Sequence, residues 1–387
     1  MKKADNIVLF LSTLSYVLFD REGYIGIFYL MQLVFIGYYF VFVFHRNVIW
    51  VNKSKDVLKT YGAFCLFCVL SVIWSVDKDE SFSKSKTVFI ILINSVILYD
   101  YLNKTQSFKY ILLAILSSTY INFFIILKII PDNPMYWDNW RFQGTRDNPN
   151  YLAVLQLISV FSAIIIKHFF IFKSKIISIL VYCSFFVSSY IIFMTASKKG
   201  MLFCISLLIY FIIDSLISKK NKIYAYSFLL VFLYFGYDML SDLLNNENSL
   251  KVINRITEFS KFEGTSTNER IRFIEDGFES FLNHPFLGTG ISSLKSIFGT
   301  YSHSNFIEIL AGIGFFGFII YYRIYYLLIK KVFKQNIYSI KIFYSIFTLT
   351  LFTLDIAQVT YYYKFHIFFL IFFVFIIENS EKLKIKN

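Results

Sequence analysis

Cysteine, proline and charge are all scarce in this 387-residue chain. The 4 cysteines, Cys65, Cys68, Cys183 and Cys204, all lie in apolar runs, so no disulfide framework is expected. Cys65 and Cys68 have the spacing of metal ligands, but no second pair or histidine lies nearby, and packing is the plainer reading. With 4 Pro and 15 Gly the chain is neither a disordered polymer nor collagen-like. Charged residues make up 16%, against about 25% in an average soluble domain, which excludes a soluble globule. What is abundant is apolar and aromatic: 57% of residues are hydrophobic, with 48 Phe and 29 Tyr. A membrane protein remains. The formal charge of +13 does not point to nucleic acid, because no dense basic run is interleaved with aromatics.

Apolar runs of about 17 to 25 residues are long enough to span a bilayer as helices. They occur at 24–44, 57–73, 87–102, 108–130, 151–166, 176–195, 200–217, 223–240, 306–329, 337–356 and 359–377. The stretch 7–19 resembles a signal peptide but meets Asp20-Arg21-Glu22-Gly23 instead of a small-residue cleavage site, and counts as a twelfth span. The fold expected is all-α: a polytopic transmembrane bundle of about twelve spans in one domain, residues 1–387. With the N-terminus inside, most Lys and Arg fall on the inner side, so both termini are expected in the cytoplasm.

Residues 241–304 form a long extracytoplasmic loop, and loops of that length are usually functional or disordered. Within it Ser266-x-x-Glu269 reads as a capping box. Ile271, Ile274, Phe278, Phe281 and Leu282 then share one helical face, while Asn283-His284-Pro285 and Gly288-Thr289-Gly290 break the helix. That describes an amphipathic helix lying on the membrane or on the bundle.

Given the inward bias of positive charge, outward-facing cations are the anomaly. They are Arg141 and Arg146, Lys198 and Lys199, and Arg270 and Arg272. Arg270 falls beside the apolar face, where its forked donors suit a diphosphate at the membrane surface; Arg272 falls on the polar face. His303 opens a spanning helix at its outer mouth and can act as a general base at neutral pH, or cap the helix. Arg270 is expected to face a cavity shared with His303. Gly312, Gly314 and Gly317 argue for close packing against another helix. Glu308, inside the apolar stretch, defaults to a functional hypothesis and lies about 140° around the helix from His303, so the two form no simple dyad. Asp355 reads equally well as a satisfied bundle contact. Asp77-Lys78-Asp79-Glu80 has the spacing of a metal-binding pair, although a solvated turn explains it more simply.

These residues resemble the O-antigen polymerase and O-antigen ligase superfamily of bacterial membrane glycosyl transferases. The ligase-type signature of His, Asn/Ser/Gln, nine residues, Gly, two residues and Gly/Thr/Tyr is met by His303, Ser304, Gly314 and Gly317. Arg270 followed by Asn283-His284-Pro285-Phe286-Leu287-Gly288-Thr289-Gly290 is similar to the family's arginine, helix and Asn-Pro-Leu-x-Gly-x-Gly block. Arg141 to Gly144 with Asn148-Pro149-Asn150 resembles its Asn-Pro-Asn entry to a span. Thr195-Ala196-Ser197-Lys198-Lys199-Gly200 sits where the family has Ser-Arg, with Lys in place of the planar fork.

The resemblance implies transfer of a glycan from a polyprenyl diphosphate carrier to a sugar hydroxyl at the outer face of the bacterial cytoplasmic membrane, without metal or other cofactor. His303 would take the acceptor proton and the cations would stabilise the leaving diphosphate. A single displacement would invert the anomeric carbon. Donor and acceptor would both be lipid-linked, with a chain-length regulator and a flippase as further partners. Polymerase is favoured over ligase, since the match outside the signature is loose and polymerases are the more divergent group. A transporter is the reading from another class, but the spans are largely uncharged and no internal repeat is evident.

Overall fold

The structure, a computed structural model, describes residues 2–47, 55–131, 133–138, 141–170, 175–197, 200, 265–336 and 338–385. The described residues are almost entirely helical. Ten of the twelve predicted spans fall among them, and each lies on a helix; those at 200–217 and 223–240, with residues 241–264 of the long loop, lie outside. In chain order the helices are α1 (Lys2–Leu18), α2 (Ile25–Tyr38, continued by a π turn Tyr39–Val43), α3 (Lys55–Leu70), α4 (Lys78–Thr105), α5 (Lys109–Ile126), α6 (Pro149–Phe169) and α7 (Lys175–Met194). The long loop contributes α8 (Thr265–Asn283) and α9 (Ser293–Phe298), and after it come α10 (Asn305–Phe333), α11 (Tyr338–Ala357) and α12 (Lys364–Ile385). Among the described residues seven helices are long and apolar enough to cross a membrane. The chain is a polytopic helical membrane protein.

Two compact units divide the described residues. In one, α1 and α2 pack together, α1 also packs on α5, and α5, α6 and α7 pack on one another. Its α6 is apolar on every side and buried along nearly its whole length, as a helix surrounded by protein must be. Thr119 on α5 reaches Gln156 and Ser159 on α6 at 3.0 and 2.7 Å, the kind of polar contact that joins helices where no hydrophobic force separates protein from lipid. A two-stranded ribbon, Trp137–Asp138 against Arg141–Phe142, leads into α6; periodicity had given no hint of it.

In the other unit α10 is central, touching α3, α8, α9 and α11. Aromatic side chains fill the gaps between helices, with Phe306 stacked on Tyr322 at 4.5 Å and Phe347 edge-on to Phe373 at 4.4 Å. Asp355 is fully buried and satisfied, accepting from Thr360 Oγ1 at 2.5 Å and Asn305 Nδ2 at 3.2 Å.

The loop helix α8 packs on α10, but through a different face from the one its sequence suggests. Ile271, Ile274, Phe278 and Leu282 are exposed, whereas Phe273 and Phe281 are half-buried and Gly277 is buried. The reason is contact distance: a Cβ on Gly277 would stand 2.3 Å from Ile307 Cγ2, so the missing side chain is what lets α8 approach α10. Its exposed apolar stripe is the surface an interfacial helix offers to lipid.

Helix α10 is broken, not continuous. Gly314 has φ 71° and ψ −173°, so the helix stops and restarts there. In an unbroken helix the amides of Phe315 and Phe316 would bond to the carbonyls of Ala311 and Gly312. Here the non-helical segment Pro285–Gly290 takes all four groups. Thr289 N and Gly290 N donate to the Ala311 and Gly312 carbonyls at 2.9 and 2.8 Å, while Phe315 N and Phe316 N donate to the Pro285 and Phe286 carbonyls at 2.8 and 3.4 Å. The expected close approach is present: at Gly317 it faces another helix, with Phe67 of α3 3.5 Å from a would-be Cβ, whereas at Gly314 the partner is this segment. Two more of the segment's carbonyls are met from the side of α3: Val76 N donates to Thr289 O at 3.0 Å and Trp74 Nε1 to Leu287 O at 3.1 Å. Irregular backbone within a spanning region is tolerable only when so satisfied.

Candidate active site

In the first unit the Asn-Pro-Asn motif builds the start of α6. Asn148 is the N-cap, its side chain accepting from Asn150 N at 2.8 Å, and Pro149 occupies the first helical turn, where no amide is required. Asn150 Oδ1 then receives Arg141 Nη2 at 3.3 Å and Ser197 Oγ at 2.9 Å. Arg141 Nε donates to Thr195 O at 3.0 Å, just past the end of α7, and Asp138 lies 3.7 Å from Nη1. Two of the blocks singled out in the sequence therefore meet through Arg141. Lys198 and Lys199 follow Ser197 directly but lie outside the described residues.

Arg146 is buried and donates to Tyr16 O in the last turn of α1 at 2.8 Å. Both arginines thus sit on carbonyls at helix C-termini, which a cation complements. A third buried arginine, Arg21, escaped the sequence reading because it lies in what looked like an ordinary polar connection. Its Nη1 donates to Gly144 O at 3.2 Å and its guanidinium covers the Tyr24 ring at 4.3 Å. The expected topology that reads Arg141 as an outward cation reads Arg21 the same way.

In the second unit the turn Ser302-His303-Ser304 stands at the mouth of α10. His303 has φ 58°, a left-handed conformation seldom adopted by a residue with a side chain. Its ring centroid lies 4.3 Å from Tyr301 and 6.3 Å from Phe273 on α8. Arg270 precedes Phe273 by three residues, hence on the same side of that helix, and is half-buried. Arg272 points away, 75% exposed, with Asp276 at 3.6 Å. Beneath the turn Glu308 is buried, and Ser302 binds it through both its amide and its hydroxyl at 2.9 Å.

The acidic cluster before α4 is built into the fold. Asp77 caps the helix, accepting from Asp79 N and Glu80 N at 3.1 and 3.0 Å, and takes Ser296 Oγ of α9 at 2.6 Å. The Ser296 hydroxyl, followed by the Glu80 amide, holds the Asp77 carboxyl below the usual carboxylate range. Glu80 in turn meets Lys295 and Ser292, each at 3.3 Å.

Residues 183–322 match the family model described as O-antigen ligase. Over these residues the chain is similar to that family. The match takes in Arg270, Pro285 to Gly290, His303, Ser304, Gly314 and Gly317, so the break in α10, its clasping segment and the His303 turn all lie within the matched region. Arg141 and the Asn-Pro-Asn motif lie before it. The similarity supports a glycan-processing role at the membrane. No curated protein and no solved structure matches the chain.

Proposed function

We propose that the protein is a polysaccharide polymerase, of the O-antigen, capsule or exopolysaccharide kind. It transfers glycan from a polyprenyl diphosphate carrier to the hydroxyl of another lipid-linked repeat unit at the outer face of the bacterial cytoplasmic membrane. The chain crosses that membrane twelve times with both termini inside. One observation carries the reading: within the O-antigen ligase region, α8 brings Phe273 to the His303 ring and carries Arg270 on the same side. A base and a diphosphate ligand then share the mouth of α10.

In the reaction, a ring nitrogen of His303 takes the proton of the acceptor hydroxyl as its oxygen attacks the anomeric carbon. The bond to the carrier diphosphate breaks, and the Arg270 guanidinium bears the charge that develops on the leaving group. Arg141 holds the end of α7 through the Thr195 carbonyl.

The description of the matching family favours a second reading, an O-antigen ligase whose acceptor is the lipid A core. Purified protein in liposomes, given lipid-linked repeat units alone, decides between them. A ladder of lengthening lipid-linked chains supports the polymerase. Transfer that occurs only when lipid A core is added supports the ligase, and no transfer to either acceptor overturns both.

A further inference from the structure

The backbone at His303 is held by a residue five positions along the chain. The Ser302 amide lies 2.9 Å from Glu308 Oε2. The Ser302 hydroxyl lies 2.9 Å from the same oxygen and 2.8 Å from Ser304 O, with one proton to give to either, while Ser304 N approaches that hydroxyl at 3.3 Å. His303 sits between these two serines in its left-handed conformation. Glu308 itself is 1% exposed, and its other oxygen, Oε1, has no hydrogen-bond partner among the described residues. A buried carboxylate is costly in a spanning helix, so its burial here calls for a role. Its position in the first turn of α10 offsets part of that cost, because the helix N-terminus favours negative charge.

We propose that Glu308 is a positioning residue: its Oε2 clamps the Ser302–Ser304 turn and so aims the His303 ring at the acceptor hydroxyl. The inference rests on the reading of His303 as the base. Glu308 itself neither touches substrate nor moves a proton. The clamp requires an acceptor at Oε2 and not the negative charge, so an amide can replace it.

The test is a cycle of variants of the full chain in liposomes, with polymer formation timed at varied donor concentration. Glu308→Leu should lower kcat by about 10²-fold, the usual consequence of a catalytic group displaced by about 1 Å, with KM for the lipid-linked donor unchanged. Glu308→Gln, whose carbonyl can accept the same two bonds, should keep most of the parental kcat. In a His303→Ala background, Glu308→Leu should cause no further fall. A Gln variant as inactive as the Leu variant, or a further fall in the His303→Ala background, overturns the proposal. Ser302→Ala, which keeps the amide bond but loses the hydroxyl, covers the case in which Glu308→Leu does not fold. It should also lower kcat without changing KM, and a parental kcat there counts against the clamp. Failure of the underlying reading shows separately, as His303→Ala alone working at the parental rate.

Discussion

Gly288 lies directly against Gly312: a Cβ added to Gly288 would stand 2.5 Å from both the carbonyl carbon and the oxygen of Gly312. Neither atom can move aside, because both belong to the backbone of α10 at its break. Gly314 is constrained in the same way, with Phe286 O 2.3 Å from its would-be Cβ and a φ of 71°. Gly288→Ala and Gly314→Ala should each destabilise the protein by about 1–3 kcal/mol, the range for overpacking a filled site. Thermal unfolding in detergent measures this. An unchanged transition in either variant would mean that the segment and the broken helix are not clasped as described.

His303→Ala separates catalysis from capping. Removal of a positioned base costs about 10² to 10⁴ in rate, whereas loss of a helix cap costs about 1 kcal/mol of stability. The variant should insert normally, unfold at close to the parental temperature and bind the lipid-linked donor, yet make little or no polymer. Arg270→Ala should weaken donor binding as well. Arg270→Lys should rescue only in part, since an ammonium cannot match the bidentate fork on a phosphate.

Arg146 gives the contrasting outcome. Its guanidinium is bound to the Tyr16 carbonyl, and a hydrogen bond from a charged donor contributes about 1.5–3 kcal/mol. Arg146→Met should lower the unfolding temperature while the folded fraction keeps the parental KM for donor. A rise in KM with no loss of stability would assign this arginine to the diphosphate instead.

The contact between α9 and the start of α4 should depend on pH. The folded state depresses the Asp77 carboxyl, so its contribution is present above the usual carboxylate value of about 4 and is lost as pH falls through the depressed value. The protection of amides across 293–298, taken relative to their intrinsic exchange rate at each pH, should therefore fall in acid, and Asp77→Ala should show the lowered protection already at neutral pH. With the carboxylates of Asp77 and Glu80 engaged in the fold, EDTA should leave transfer unaffected. Loss of activity restored by Mg²⁺ or Mn²⁺ would return that cluster to candidacy.

Local information alone was enough for much of this architecture. Hydropathy over about 20 residues marks a span because the bilayer has a fixed thickness, and α2, α4 to α7, α10 and α11 lie where the apolar runs do. Asn148-Pro149 starts α6 and Asn283-His284-Pro285 follows the last turn of α8, since caps and helix breakers act on their own neighbours. Other features depend on partners far away in the chain. Which stripe of α8 packs inward was settled by Gly277 meeting Ile307, a steric match that helical periodicity does not encode. The three glycines of α10 announced a close approach, but only the tertiary structure supplied the Pro285–Gly290 segment that takes the hydrogen bonds released at Gly314. The same holds for the cations: the sequence marks Arg141 and Arg146 as out of place, and the fold alone sets them on the carbonyls of Thr195 and Tyr16, residues 54 and 130 positions distant. A charge is legible in one dimension, but its partner is decided by how the helices pack.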